Sequence, residues 1–342
     1  MWKEKWTEEK LNELLCTPSE ALVEDMKRIK GDIMVLGAGG KMGPTLCVLA
    51  KRAIQKAGLE KRVIAVSRGS DPLATELMRR NGVETIAVDL LDREKLYELP
   101  EVENVIFMAG RKFGTNGKEW ETWAMNSVLP AFVADKFQKS NIVVFSSGNI
   151  YPIVPVSKGG CKETDAPLPN GEYAMSCLAR ERSFEYASYA YGTKVLLFRL
   201  NFAIDLRYGV LFDVADKIVK GQKISLATPC FNFIWQGSAN EMAIRSLLHT
   251  KAPAQVMNIT GPETVSVRSA AIELGRYLGK EPIFEGEEGQ DAYLNDASLA
   301  METFGYPAVS AATLIRWQAE WILSGGRTLN KPTHFEERKG KY

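Results

Sequence analysis

Short apolar runs alternate with helical spacing along most of the chain. Runs at 33–36, 62–66, 85–88, 104–108, 141–145 and 194–199 are each long enough for one buried strand. Between them apolar residues recur every three or four positions, as in 44–55, where Leu46, Leu49 and Ala50 share a face, and in 120–138. A further strand is predicted at 255–260. This alternation predicts an α/β protein: a Rossmann-type doubly wound parallel sheet. Ahead of it, residues 1–30 form a predicted helical extension. Thr7 is a candidate N-cap, Glu8 and Glu9 suit the first turn, and Thr17-Pro18-Ser19 breaks the run in two. Such an extension is expected on the outside of the core or in an oligomer contact. Past Tyr208 short helices and strands mix. An amphipathic helix at 311–323 carries Trp317 and Trp321 on one side, and the end from His334 to Tyr342 is mostly charged. The predicted division is a Rossmann domain over 31–205, with a returning segment near 233–261. A smaller mixed α/β C-terminal substrate lobe draws on 206–232 and 262–342.

Composition narrows the class. The 342 residues are 45% hydrophobic and 25% charged, as in a soluble globular protein. A net charge of +1 gives no field to recruit nucleic acid or an anionic membrane. No apolar run approaches the ~20 residues of a membrane span, and the charged start, Met1-Trp-Lys-Glu, lacks a signal-peptide core. Five cysteines, odd in number and without a CxxC pair, predict reduced thiols in a cytoplasm. Two distant histidines, His249 and His334, argue against a zinc site and a serine–histidine triad, so no metal is expected.

The chemistry gathers after the first strand. Gly37, Gly40 and Gly43 follow it at intervals of three and lead into a helix, the context of a dinucleotide fingerprint. Gly37 allows the tight turn, Gly40 lets the backbone approach a pyrophosphate and Gly43 lets helix and strand pack closely. Lys41 and Met42 fall at the helix N-terminus, whose free N–H groups suit an anion. The second strand ends in Ser67-Arg68, where an acid would accept the ribose hydroxyls of NAD. With Arg68 there instead, NADP is favoured over NAD, although Asp71 lies close by. Asp89 and Leu90 follow the third strand, with Asp89 placed to meet the adenine amino group. Ala109 and Gly110, small enough for the chain to pass a cofactor, end the fourth. Arg111, Lys112, Phe113 and Gly114 come next, at the sheet edge where open α/β folds bind ligands. Lys112 reads either as a substrate contact or as a solvated loop lysine.

These pieces together resemble the extended short-chain dehydrogenase/reductase superfamily, in its NAD-dependent epimerase/dehydratase family, over roughly residues 31–325. The motifs occur in the family's order: the glycine loop; Asp89-Leu90; Asn126; Ser146-Ser147-Gly-Asn149-Ile-Tyr151; Tyr173; Arg199-Leu-Asn201; and Asn258-Ile-Thr-Gly-Pro-Glu-Thr-Val-Ser266. The segments Gly209-Val-Leu and Lys331-Pro-Thr-His334-Phe look like those of a bacterial branch. The resemblance implies hydride transfer between a nicotinamide and a carbinol carbon, with Tyr173 as acid or base and Ser147 holding the substrate oxygen. It also implies Asn126 as a cofactor-side residue and a homodimer through the helices that hold Asn126 and Tyr173.

Two departures matter. The family lowers the tyrosine pKa with a lysine four residues on; here that position is Cys177. Either another cation serves (Arg180, seven residues from Tyr173, or Lys112), or Cys177 works as a thiolate favoured in a helix's first turns, or the site has decayed to a cofactor-binding sensor. A cysteine there also reads as a small packing residue. The second departure concerns substrate. The family's diphosphate-gripping arginines correspond to Phe231 and to the acidic segment Glu285-Gly-Glu-Glu-Gly289. A nucleotide sugar is therefore not expected. A smaller carbohydrate, polyol or sugar acid suits a pocket with Asn149, Asn201, Trp235 and Gln236. Trp235 either stacks on a sugar or packs in the interior.

Overall fold

The computed structural model describes residues 5–112 and 117–341. Phe113 and Gly114 of the predicted edge lie outside these.

The chain opens on helices α1 (Glu8–Leu15) and α2 (Glu20–Arg28), with Thr7 and Ser19 capping them through their side chains. Strand β1 (Ile33–Leu36), helix α3 (Gly43–Lys56), β2 (Val63–Ser67), α4 (Pro72–Arg80), β3 (Glu84–Ala87), α5 (Arg93–Glu98) and β4 (Asn104–Phe107) follow. Next come α6 (Glu119–Trp123), a π-turn over Ala124–Val128, α7 (Leu129–Lys136), β5 (Asn141–Ser147), β6 (Val154–Pro155), α8 (Gly171–Tyr191) and β7 (Lys194–Leu200). The remainder holds β8 (Ala203–Ile204), α9 (Val210–Lys220), β9 (Lys223–Ser225), β10 (Cys230–Phe231), β11 (Ile234–Trp235), α10 (Gln236–Arg245) and β12 (Gln255–Ile259). It closes with β13 (Val265–Ser266), α11 (Val267–Leu278), β14 (Ile283–Glu285), β15 (Asp291–Ala292), α12 (Ser298–Phe304) and α13 (Ala311–Leu323).

Seven strands form one parallel sheet in the order β12-β7-β5-β4-β1-β2-β3. The order reverses between β1 and β4, so their C-terminal ends open a crevice. Both faces are covered, which is why the central strands read as unbroken apolar runs. Val35, Ile106, Val143 and Phe198 face one apolar layer with α3; Leu36, Phe107, Val144 and Leu197 face the other with Phe184 of α8.

The N-terminal extension is part of the core. Leu11, Leu15, Leu22 and Met26 are fully buried, each contributing about 1.5–3 kcal/mol before entropy is counted. Trp6 meets Trp317 of α13 edge-on at 5.4 Å. Among the described residues no helix is long and apolar enough to cross a membrane.

Candidate functional site

A cavity of about 250 Å³ opens at the C-terminal ends of β1, β4, β5 and β7. Ser147, Asn149 and Tyr173 form its floor. Tyr208, Gly209, Val210 and Thr333 form its roof. Gly37, Gly40, Lys41 and Met42 close one end.

The glycine loop fits a dinucleotide by its own geometry. Gly37 has φ +89°, and a Cβ on it would lie 2.5 Å from the backbone of Ala109. A Cβ on Gly43 would lie 2.3 Å from the Ala38 carbonyl oxygen. Both glycines are demanded by the protein's own packing. Gly40 is different: a Cβ there meets only the Gly37 carbonyl oxygen, at an ordinary 3.6 Å. Space over Gly40 is therefore left for something outside the chain. Met42 caps α3 without a side-chain hydrogen bond, so the first helical N–H groups are available to an anion. At the end of β2, Ser67 is half-buried and Arg68 exposed. The neighbouring Asp71 accepts from the Ala74 N–H as the N-cap of α4. Asp89 is exposed and accepts from the Leu91 N–H, while Leu90 is buried.

Tyr173 stands in the first turn of α8, and its hydroxyl is hydrogen-bonded to Ser147 and Cys177. Burial pushes its pKa well above that of a free tyrosine, and the charge of Arg180 opposes that rise. Arg180 lies two turns along α8, with Nη1 donating to the Phe145 carbonyl at 2.6 Å and Nη2 to Asn126 Oδ1 at 2.8 Å. Its Nε is buried without a partner. Lys112 holds its ammonium 5.4 Å from the Tyr173 ring centroid, and burial pulls its pKa down to about 8. Ser147 is fixed from the other side, accepting from the Asn149 N–H and donating to Asn149 Oδ1 at 3.1 Å.

A charged pair locks this floor. Arg199 donates from Nε and Nη2 to Glu181 at 2.9 and 2.7 Å. Glu181 also accepts from Ser146, and Arg199 donates to the Tyr151 hydroxyl, which donates to Asn258. Glu181 and Arg199 are almost wholly buried, so each holds its charge only because the other is there.

Four expectations are corrected. Trp235 does not face the cavity. The β11–β8 pair turns it inward, where it meets Trp317 edge-on at 5.6 Å and is 4% exposed. Gln236, wholly buried, donates weakly to Thr45 and Asp205 behind the glycine loop. Asn126 is also wholly buried. It sits in the π-turn and spans the backbone of Arg111, the Ser176 hydroxyl and Arg180, so it shapes the site without lining it. Cys177 is not poised as a thiolate. Burial among Ile150, Tyr151 and Leu294 raises its pKa, and it stands behind Tyr173 rather than on the cavity. Asn201 does line the cavity and donates to Asn232.

Sequence reasoning does not reach the roof. Phe202, with φ +42°, turns the chain sharply after Asn201 and lines the cavity. Asp213 accepts from the Thr333 N–H and hydroxyl, pinning the C-terminal tail over the site. Farther on, Phe335 packs edge-on to Phe231 at 5.6 Å. Arg338 donates to the Ala227 and Asp291 carbonyls, and the Arg338 carbonyl accepts from Asn170. The sequence trace of this arrangement is Phe335, an aromatic residue set in a charged tail.

No curated protein matches the chain by sequence. By structure it is similar to the UDP-glucose 4-epimerase of Thermus thermophilus in complex with NAD, with a TM-score of 0.67, 19% identity, and coverage of 84% of this chain and 98% of that one. It is also similar to the UDP-glucuronic acid 4-epimerase of Bacillus cereus in complex with NAD, with a TM-score of 0.69, 18% identity, and coverage of 85% and 98%. The UDP-glucose 4-epimerase of Thermotoga maritima gives 0.67, 18%, 86% and 99%. These likenesses speak to the fold. The profile of the NAD dependent epimerase/dehydratase family matches residues 33–261, which take in the glycine loop, Ser147 and Tyr173, and the chain belongs to that family.

Proposed function

We propose that the protein is a nicotinamide-dependent oxidoreductase of the epimerase/dehydratase type, acting on a carbohydrate or polyol that is not a nucleotide sugar. The observation that carries this reading is the Ser147–Tyr173 pair facing a cavity that ends at the glycine loop. When bound, the nicotinamide supplies hydride acceptance and donation. Ser147, oriented by Asn149, holds the reacting oxygen. Tyr173 is protonated at rest and gives or takes the proton at its hydroxyl. Arg180 is the fixed cation that replaces the missing lysine. Against the larger effect of burial, its charge lowers the pKa of both Tyr173 and Cys177.

The reading against a nucleotide sugar rests on the Phe231 side of the cleft. Where family members present an arginine, the chain packs Phe231 against Phe335 of its own tail. Glu288, in the second position, is engaged by Arg268 at 2.8 Å. At neither position does the sequence carry the arginine with which the family grips the diphosphate. NADP is preferred to NAD because Arg68 closes β2 and the nearby acid, Asp71, is engaged as a helix cap. Tyr189 and Tyr186 of α8, 88% and 63% exposed, and Trp120 of α6 support a homodimer through these helices.

A second reading, a cofactor sensor without turnover, is favoured by Cys177 and by the raised Tyr173 pKa. Mass spectrometry of the nucleotide released on denaturation separates the two. Stoichiometric NAD or NADP means in-place recycling, as in an epimerase. An empty protein that binds NADPH or NADH is an exchanging dehydrogenase or a sensor. No binding of either removes the nicotinamide reading, and tight binding of UDP-glucose removes the substrate reading.

A further inference from the structure

The roof carries one ammonium, that of Lys41, with no carboxylate partner among the described residues. The Lys41 side chain leaves the glycine loop and crosses to the lobe, where its ammonium sits 3.3 Å from the centroid of the Tyr208 ring. It is half-buried and makes no ion pair among the described residues. The carboxylates closest to it in electrostatic effect are occupied. Asp205 holds Arg207 at 2.6 Å, and Asp213 accepts from Thr333. Lys112 faces the same cavity from the β4 end. Burial together with the charges of Lys112 and Lys331 pulls the Lys41 pKa down to about 7. Two ammonium groups sharing one small cavity repel each other, and an aromatic face offsets that only in part. An anion beside the Lys41 ammonium offsets that repulsion, and its attraction strengthens with desolvation.

The geometry points to an anion subsite formed by Lys41 and Lys112, and hence to a monosaccharide-sized substrate that carries one anionic group, a carboxylate or a phosphate ester. This rests on the reading of the Ser147–Tyr173 site given above and names the substrate class within it. The position fits. Asn201, Thr333 and Gly209 line the same cavity as the roof lysine and the reacting pair, so a sugar ring can reach both while its anion meets the ammonium groups.

The test uses the full chain saturated with its nicotinamide dinucleotide. Calorimetry compares D-glucuronate, D-gluconate and D-glucose 6-phosphate with D-glucose and D-glucitol. Reductive methylation read by mass spectrometry follows the Lys41 amine. The expected result is that at least one anionic sugar binds about tenfold or more tighter than its neutral counterpart and slows methylation of Lys41. Lys41→Met removes the preference for the anionic sugar at saturating dinucleotide, and Lys41→Arg keeps it. The acid and phosphate arms identify which anion is used. Equal binding of neutral and anionic sugars with the dinucleotide in place overturns the subsite alone. A Lys41→Met protein that loses about tenfold in dinucleotide affinity without a change in sugar preference assigns the ammonium to the cofactor, and also overturns it. Failure to bind any dinucleotide overturns the nicotinamide reading and the subsite with it.

Discussion

The floor and the roof of the cavity handle charge in opposite ways. On the floor the Arg199 guanidinium is met by Glu181, while Arg180 gives both Nη groups to the Phe145 carbonyl and Asn126 and keeps its Nε unpartnered. On the roof Lys41 rests on a tyrosine ring, and the nearby carboxylates serve Arg207 and the tail. A satisfied network is rigid, because any movement strands a buried charge. An unsatisfied one is responsive, because a ligand can improve it. The contrast suits a site whose proton-transfer geometry is preset and whose grip on the substrate forms on binding.

Three experiments bear on this contrast. The largest effect is expected on the floor. Tyr173→Phe should lower turnover about 10²- to 10⁴-fold while leaving dinucleotide affinity nearly unchanged, as measured by steady-state kinetics and fluorescence titration. An unaltered rate would remove Tyr173 from the chemistry. Next, Glu181→Ala should cost about 3–5 kcal/mol in denaturant unfolding, because Arg199 is left buried and unpaired. A loss below about 1 kcal/mol would mean that the floor is not locked by this pair.

The smallest effect is a pH dependence on the roof. The Lys41 pKa falls from its ordinary lysine value to about 7 in the folded chain. Between pH ~7 and ~10 the unfolded chain therefore binds the extra proton, and stability rises with pH across that window. Below it both states are protonated and the penalty is constant. Lys41→Met should flatten this rise by about 1 kcal/mol in ligand-free protein, since water reaches the half-buried amine and moderates the full effect. Identical pH profiles would mean that Lys41 is not held at a cost.

What the sequence makes legible is local. Thr7 and Ser19 cap helices because a hydroxyl beside the first turn does so wherever it occurs. Strand ends shifted by one or two residues; β5, for example, runs on to Ser147. Ser147 and Tyr173 are picked out by their place in the order of the family's motifs, which the resemblance supplies, and not by spacing alone. Trp235 was not legible. Its two sequence readings differ only in which way a two-residue strand faces, and pairing with β8 decided that. The choice between Arg180 and Lys112 was also closed to sequence. One lies two helical turns from Tyr173 and the other on a separate loop, and spacing along the chain does not say which charge bears on the hydroxyl.

The sequence by itself determined the alternation of strands and helices and the glycine loop that leads into α3. Each follows from hydrogen bonding and burial among residues close along the chain. The tertiary structure decided what surrounds them. Phe231 meets Phe335, Asn170 meets Arg338 and Lys41 meets Tyr208 across long separations in sequence. No periodicity encodes such contacts. They are settled when the lobe and the tail pack over the sheet and the burial of apolar surface selects one arrangement.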